Sequence, residues 1–234
     1  MNPSIRFLDL DGTVNTRDLG GWRRSDGSTT AYGRVIRSDM PRTMSAQDRE
    51  RLHDAGIRTI FDLRSAQERN VERHPLASDE AFDVVSYDLM APVIEARSSG
   101  RGHVDDPFDL GALYVDMTVA SRDVLREMFV HMRDAKQSGG VMVHCTAGKD
   151  RTGVVAALAL RASGVADPHI IADYEVTATR LAPLYPHLLT GVTASGVPEE
   201  HAHRLLTAEA STMAYFLAHV DEAWTSVAEG LLDD

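Results

Sequence analysis

Short apolar runs bounded by turn residues alternate along this chain with longer stretches whose apolar positions recur at helical spacing. Asp26-Gly27 predicts a tight turn ahead of a short strand over Gly33–Arg37. Ser45 with Asp48 three residues on marks a helix start, and Gly56 ends that helix. Ile57–Leu63 then reads as a strand, and 82–89 as another that stops before Pro92. The polar run over 95–109, rich in Ser, Gly, Arg and Asp, is expected to be mobile. Helical patterns follow at about 110–118 and 121–137, until Ser138-Gly139-Gly140 breaks the second. Val141-Met142-Val143 is a buried strand, and a helix runs over the apolar stretch 154–160 to a stop at Gly164. Asp167-Pro168 opens the next helix with a cap and a first-turn proline. A stretch punctuated by Pro and Gly runs from 183 to 198, and the last long helical pattern lies at about 208–222, its apolar face assigned to the core. This alternation predicts an α/β fold: a central, mostly parallel sheet flanked by helices.

The 234 residues suit one domain over 1–234; two very small domains are the alternative. A net charge of −11 argues against a general nucleic-acid binder, and an anionic substrate would need a local positive pocket. A single cysteine excludes an intramolecular disulfide framework and agrees with a reducing compartment, so a cytoplasmic location is expected. The first 20 residues carry Asp9, Asp11 and Asp18 and no apolar signal-like run, which leaves export without a cleavable signal as the alternative. No stretch approaches the length of a membrane span, so no stable membrane insertion is expected. The ten histidines form no metal-like grouping with carboxylates, and neither a metal nor another cofactor is expected.

The chemistry concentrates at 144–153, His-Cys-Thr-Ala-Gly-Lys-Asp-Arg-Thr-Gly. Cys145 sits where a buried strand ends, and a loop with a central glycine feeds a helix N-terminus. Such a loop turns backbone N–H groups inward and makes a concave anion site that also favours a thiolate. Cys145 is the candidate nucleophile, and Arg151, planar and always charged, can bind two phosphate oxygens in parallel. Thr146, Ala147 and Gly148 form the cradle, Gly148 and Gly153 relieving steric limits. His144 and the Thr152 hydroxyl could steady the thiolate by hydrogen bonding. Lys149 supplies a second cation for a substrate with more than one phosphate. Asp150 places a carboxyl group where a leaving oxygen needs a proton, which predicts an acidic pH optimum beside two cations. Asp88 and Asp116 are the alternative acids.

These residues resemble the signature of the cysteine-dependent protein tyrosine phosphatases. The Lys149-Asp150 pair, with Asn15-Thr16-Arg17-Asp18-Leu19-Gly20-Gly21, Phe61-Asp62-Leu63-Arg64-Ser65 and Ile170-Ile171-Ala172-Asp173-Tyr174, is similar to one branch. That branch is the bacterial and fungal tyrosine-protein phosphatases, which include mycobacterial phosphatase B and the Listeria lipid phosphatase. The resemblance implies the tyrosine and dual-specificity phosphatase fold, a cysteinyl-phosphate intermediate, and hydrolysis of phosphotyrosine, with phosphoserine, phosphothreonine or phosphoinositides as further substrates. It makes Cys145 the nucleophile, Arg151 the phosphate clamp, Asp150 the acid and Lys149 a contact for additional anionic groups. Asp62 and Arg64 would lie by the pocket as substrate-binding support. A helical lid is implied at about 176–206, broken here by Pro183, Pro186 and Pro198.

Two other readings use the same loop. A sulfurtransferase would make thiocyanate from thiosulfate and cyanide, and a silent phosphate-binding module would not turn over para-nitrophenyl phosphate. Away from the loop, Asp62 and Arg64 could instead form a surface ion pair. Arg17 and Asp18 could be a buried structural pair or a pocket wall.

Overall fold

In the computed structural model, which describes residues 6–100, 108–194 and 196–233, the strand pattern closes into a five-stranded sheet. β1 (Arg17–Asp18) pairs antiparallel with β2 (Val35–Ser38), which lies parallel to β5 (Gly140–His144). β5 in turn runs parallel to β3 (Ile57–Asp62), and β3 to β4 (Asp83–Ser86), giving the spatial order β1-β2-β5-β3-β4. Every residue of β5 is buried, as a central strand covered on both faces requires.

Pleating divides the sheet into two faces. Ile36, Met142 and Ile60 share a row and pack with Leu10, Leu52 and Ile57 under α1 (Ala46–Asp54). Val35, Val141, Val143 and Phe61 belong to the larger core on the other face. Helices α4 (Leu110–Ala120), α5 (Arg122–Ala135), α6 (Asp150–Ala162), α7 (Asp167–Leu181) and α10 (Ala210–His219) contribute to that core. The short α11 (Trp224–Val227) adds Trp224 to it. α6 is buried continuously from Thr152 to Leu160, a position its small residues Ala156, Ala157 and Ala159 permit.

The remaining helices lie where turn chemistry hid them. α2 (Ala66–Val71) buries no side chain and starts at a capping box in which Ser65 and Glu68 each bond the other's backbone N–H. Pro92, read as a strand stop, instead occupies the first turn of α3 (Ala91–Ser98), while Asp88 accepts from the N–H groups of Met90 and Ala91. The strand expected over 82–89 is therefore shorter, and the segment expected to be mobile from 95 begins inside a helix; residues 101–107 of it lie outside those described. The Pro-punctuated stretch forms a 3₁₀ turn at Ala182–Leu184, α8 (Tyr185–Ala194) and α9 (Glu199–Leu206).

Strands β2, β5 and β3 end in register at Ser38, His144 and Asp62. Their following loops, at 39–40, 145–149 and 63–65, therefore emerge along one edge of the sheet. Ligands of parallel α/β sheets gather at this carboxyl edge.

Candidate active site

Cys145 is the first residue beyond β5, and its side chain is only 2% exposed. Behind it the carbonyls of the loop are held from outside. The Met40 N–H donates to Thr146 O at 3.1 Å, and Asn15 Nδ2 donates to Ala147 O at 3.2 Å and Gly148 O at 3.1 Å. Arg37 Nη2 donates to Gly148 O at 2.7 Å. The N–H groups of Thr146, Ala147, Gly148 and Lys149 have no protein acceptor among the described residues. With the first N–H groups of α6 beside them, they form an anion cradle. Gly148 has φ +65°, and a Cβ there would stand 2.4 Å from Ser38 O, so only glycine lets this turn close against β2.

Arg37 and Asn15 are themselves placed by a buried ionic cluster. Asp173 on α7 accepts from Arg17 Nε at 2.9 Å and from Arg37 Nη1 at 2.5 Å. Arg17 Nη1 donates in turn to Asn15 Oδ1 at 2.6 Å. Burial and then the neighbouring Arg37 lower the Arg17 pKa to about 10, while Asp173, despite burial, is held below the usual carboxylate range by its two arginines. Arg17 thus serves a buried pair with Asp173. Asp18 accepts instead from the N–H groups of Gly20 and Gly33.

Arg151 turns its guanidinium to Glu68 on α2, with Nη1 to Oε2 at 2.5 Å and Nη2 to Oε1 at 2.9 Å. The Thr146 hydroxyl also donates to Glu68 Oε1. Burial opposes the Arg151 charge, but the Glu68 bonds and the proximity of Cys145 outweigh it and raise the arginine above its ordinary value. Glu68, whose burial acts the other way, is driven well below the usual carboxylate range by the same pairing. The fork of Arg151 is thus fixed beside the cradle before any substrate arrives.

Asp150 begins α6, and its carboxylate Oδ1 accepts from the Tyr114 hydroxyl at 2.6 Å. Lys149 Nζ stands 2.9 Å from the same oxygen and donates to Leu205 O at 2.7 Å and Thr207 O at 3.1 Å. The Lys149 side chain is 2% exposed, and its ammonium is taken up by two backbone carbonyls and the Asp150 ion pair instead of standing open as a second phosphate contact. The bond to Leu205 O ties the loop to the end of α9.

Asp62 and Arg64 also depart from the lining role expected of them. Arg64 Nη2 and Nε grip Asp62 at 2.7 Å and 3.0 Å, and both side chains are buried. The pair braces the turn from β3 into α2, which carries Glu68, and is not a surface bridge. His144 bonds the Cys145 carbonyl through Nδ1 at 3.1 Å, and burial, partly offset by Asp62, lowers its pKa. The Thr152 hydroxyl is buried with no hydrogen-bond partner among the described residues, so the bond expected from it to Cys145 is not formed in this geometry. Of the alternative acids, Asp88 caps α3 and accepts from the Ala66 N–H at 3.0 Å, and Asp116 lies on α4.

The sequence that folds into this site is matched over residues 8–233 by a family profile described as the tyrosine phosphatase family. The chain belongs to the tyrosine phosphatase family. A Cupriavidus necator protein carrying a provisional tyrosine-protein phosphatase name is 33% identical, covering 97% of this chain and 83% of its own. A tyrosine-protein phosphatase of Nostoc commune is 35% identical over 62% of this chain and 48% of its own length. The triple specificity protein phosphatase PtpB of Mycobacterium tuberculosis is 28% identical over 66% of each. The chain thus spans about half the Nostoc protein and about two thirds of the mycobacterial one.

Within this phosphatase frame, sequence reasoning missed Glu68, Arg37 and Tyr114. The Ser65-to-Glu68 spacing is a capping-box signal that would have placed Glu68 one turn from the conspicuous Asp62-Leu63-Arg64. Arg37 and Tyr114 carry no local signal. Their roles depend on contacts with residues 111 and 36 positions away.

Proposed function

We propose that this phosphatase hydrolyses phosphotyrosine through a cysteinyl-phosphate intermediate. The observation that carries this reading is the placing of Cys145 at the base of a cradle of unpaired N–H groups with the Arg151 fork already aligned by Glu68. The cradle and the fork stabilise charge on the three equatorial oxygens, which is most of what phosphoryl transfer asks of a protein. Cys145 Sγ attacks phosphorus in line, the ester P–O bond breaks, and Asp150 gives its proton to the departing phenolic oxygen. Water then attacks the thiophosphate, losing a proton to the same carboxylate and releasing inorganic phosphate and the thiolate.

Thr146 and Ala147 also border a cavity of about 290 Å³ whose far wall is built by Leu181, Leu184 and Leu188. Its apolar wall suits the ring of an aryl phosphate. The stretch from the end of α7 through α8 flanks the loop there, the position a lid would take. Tyrosyl oxygen is a fair leaving group, with a conjugate acid near 10, whereas serine and inositol alkoxides demand more of the acid. A phosphoinositide's additional phosphates would have sought Lys149, whose ammonium is already bound by backbone and Asp150. Phosphotyrosine in proteins is therefore the favoured substrate, over phosphoserine, phosphothreonine and phosphoinositides. The lone cysteine, free and catalytic, suits a reducing compartment such as the cytoplasm.

The test is a panel of phosphotyrosine peptide, phosphoserine peptide and phosphoinositide vesicles, assayed with native protein and Cys145→Ser. Phosphotyrosine turnover that vanishes in the variant supports the reading. Preferred turnover of phosphoinositide would overturn the substrate assignment.

A further inference from the structure

Tyr114 is fully buried, and its hydroxyl makes two contacts, to Asp150 Oδ1 at 2.6 Å and to the Tyr174 hydroxyl at 2.8 Å. An ionised carboxylate can only accept, so the single Tyr114 hydrogen goes to Asp150 and the Tyr174 hydrogen goes to Tyr114. The chain of donors runs one way, from α7 through α4 to the first residue of α6. Burial, reinforced by Asp150, raises both phenols above their ordinary range, and both remain donors. Gly153 lets the Tyr174 ring pack close to α6, where a Cβ would stand 3.2 Å from it.

Lys149 Nζ forms an ion pair with the same oxygen, at 2.9 Å. Oδ1 therefore faces inward, hydrogen-bonded by Tyr114 and paired with the Lys149 ammonium, both buried. Oδ2 has no partner among the described residues, and the Asp150 side chain is 33% exposed. When Asp150 takes up a proton, the oxygen not already engaged by the Tyr114 hydroxyl and the Lys149 ammonium is the one that binds it.

We propose that Tyr114 is a positioning residue for the general acid: with Tyr174 behind it, it fixes Asp150 through Oδ1 so that Oδ2 carries the proton exchanged with the leaving oxygen. The proposal rests on Asp150 being the acid. No bond of the substrate involves either tyrosine; the proton passes from Oδ2 to the phenolic oxygen as the P–O bond breaks, and returns from water in the second step. Without the Tyr114 hydroxyl the carboxyl group rotates about its side-chain torsions and presents Oδ2 for less of the time. Misplacement on this scale reduces rates by roughly tenfold to a hundredfold.

The experiment compares Tyr114→Phe and Asp150→Asn with native protein over a series of aryl phosphates, from para-nitrophenyl phosphate to phenyl phosphate. Folding is checked by thermal unfolding, and kcat and KM are read separately. The expected Tyr114→Phe result is a loss in kcat that grows with the basicity of the leaving phenol, reaching about tenfold with phenyl phosphate, with KM little moved. A purely structural role would depress all substrates alike. A uniform loss, or none, in Tyr114→Phe while Asp150→Asn steepens the dependence would overturn the positioning role alone. A flat Asp150→Asn series would remove the acid assignment beneath it. Should Tyr114→Phe fail to fold, Tyr174→Phe, which leaves Tyr114 in place without its donor, is read in the same series by the same criterion.

Discussion

At the scale of single residues, the site depends on pairs in which one member acts and the other holds it. On the proposed mechanism Arg151 binds phosphate, and Glu68 holds its guanidinium in place, so Glu68→Gln is expected to lower kcat/KM by roughly tenfold, with one charged hydrogen-bonding partner replaced by a neutral one. Steady-state kinetics on a phosphotyrosine peptide check this. The same pair has a pH signature. Because pairing lowers the Glu68 pKa from its ordinary 4.5, the pair's contribution to stability is complete above that value and is lost as pH falls below it. Urea unfolding between neutral and acidic pH should show a shallower acid loss in Glu68→Gln than in native protein. A buried histidine adds a second window. His74, lowered to about 3 from 6.5 by burial and by His144, is neutral when folded, whereas the unfolded chain takes up its proton below 6.5. Stability from this source is full above 6.5 and falls as pH drops toward 3, and His74→Phe should reduce that loss.

At the scale of elements, the 145–149 loop is shaped from behind by parts of the chain remote in sequence. The Arg17–Asp173–Arg37 cluster links β1, α7 and β2 and delivers Asn15 and Arg37 to the carbonyls of Ala147 and Gly148. Removing Asp173 leaves two buried guanidinium groups facing one another, and Asp173→Ala is expected to cost about 3–5 kcal/mol, measurable by denaturant unfolding. Gly148→Ala imposes a side chain at φ +65° and against Ser38 O; loss of phosphate affinity measured by calorimetry is the expected result. The elements that local pattern predicts well are those with a strong apolar period and clear punctuation. Val141-Met142-Val143, the helical run at 154–160 and the helix start at Ser45 are all in this class. Those it hides are α2, whose side chains are all at least partly exposed, and α8, which carries a proline in its first turn and buries nothing. Cys145 and Arg151 are legible because their chemistry is compressed into seven residues. The bonds of Lys149 to the carbonyls of Leu205 and Thr207 carry no local signal, because a charged residue in a phosphate loop reads as a ligand contact.

At the scale of the whole molecule, a net charge of −11 means the global field repels the phosphate that the local cradle attracts. Turnover at low substrate concentration should accordingly rise with moderate salt, as the field is screened, before specific contacts weaken. Among the described residues no helix is long and apolar enough to cross a membrane. The fold brings three strand ends, one helix start and the α8–α9 stretch to a single edge, and the central claim is that this edge makes a covalent bond to phosphorus. Rapid acid quenching of the protein with a radiolabelled phosphotyrosine peptide, followed by peptide mapping, tests that claim most directly. The account predicts label on the peptide bearing Cys145 during turnover, and neither label nor turnover in Cys145→Ser. Sustained turnover with no labelled cysteine, or an active Cys145→Ser protein, would contradict it.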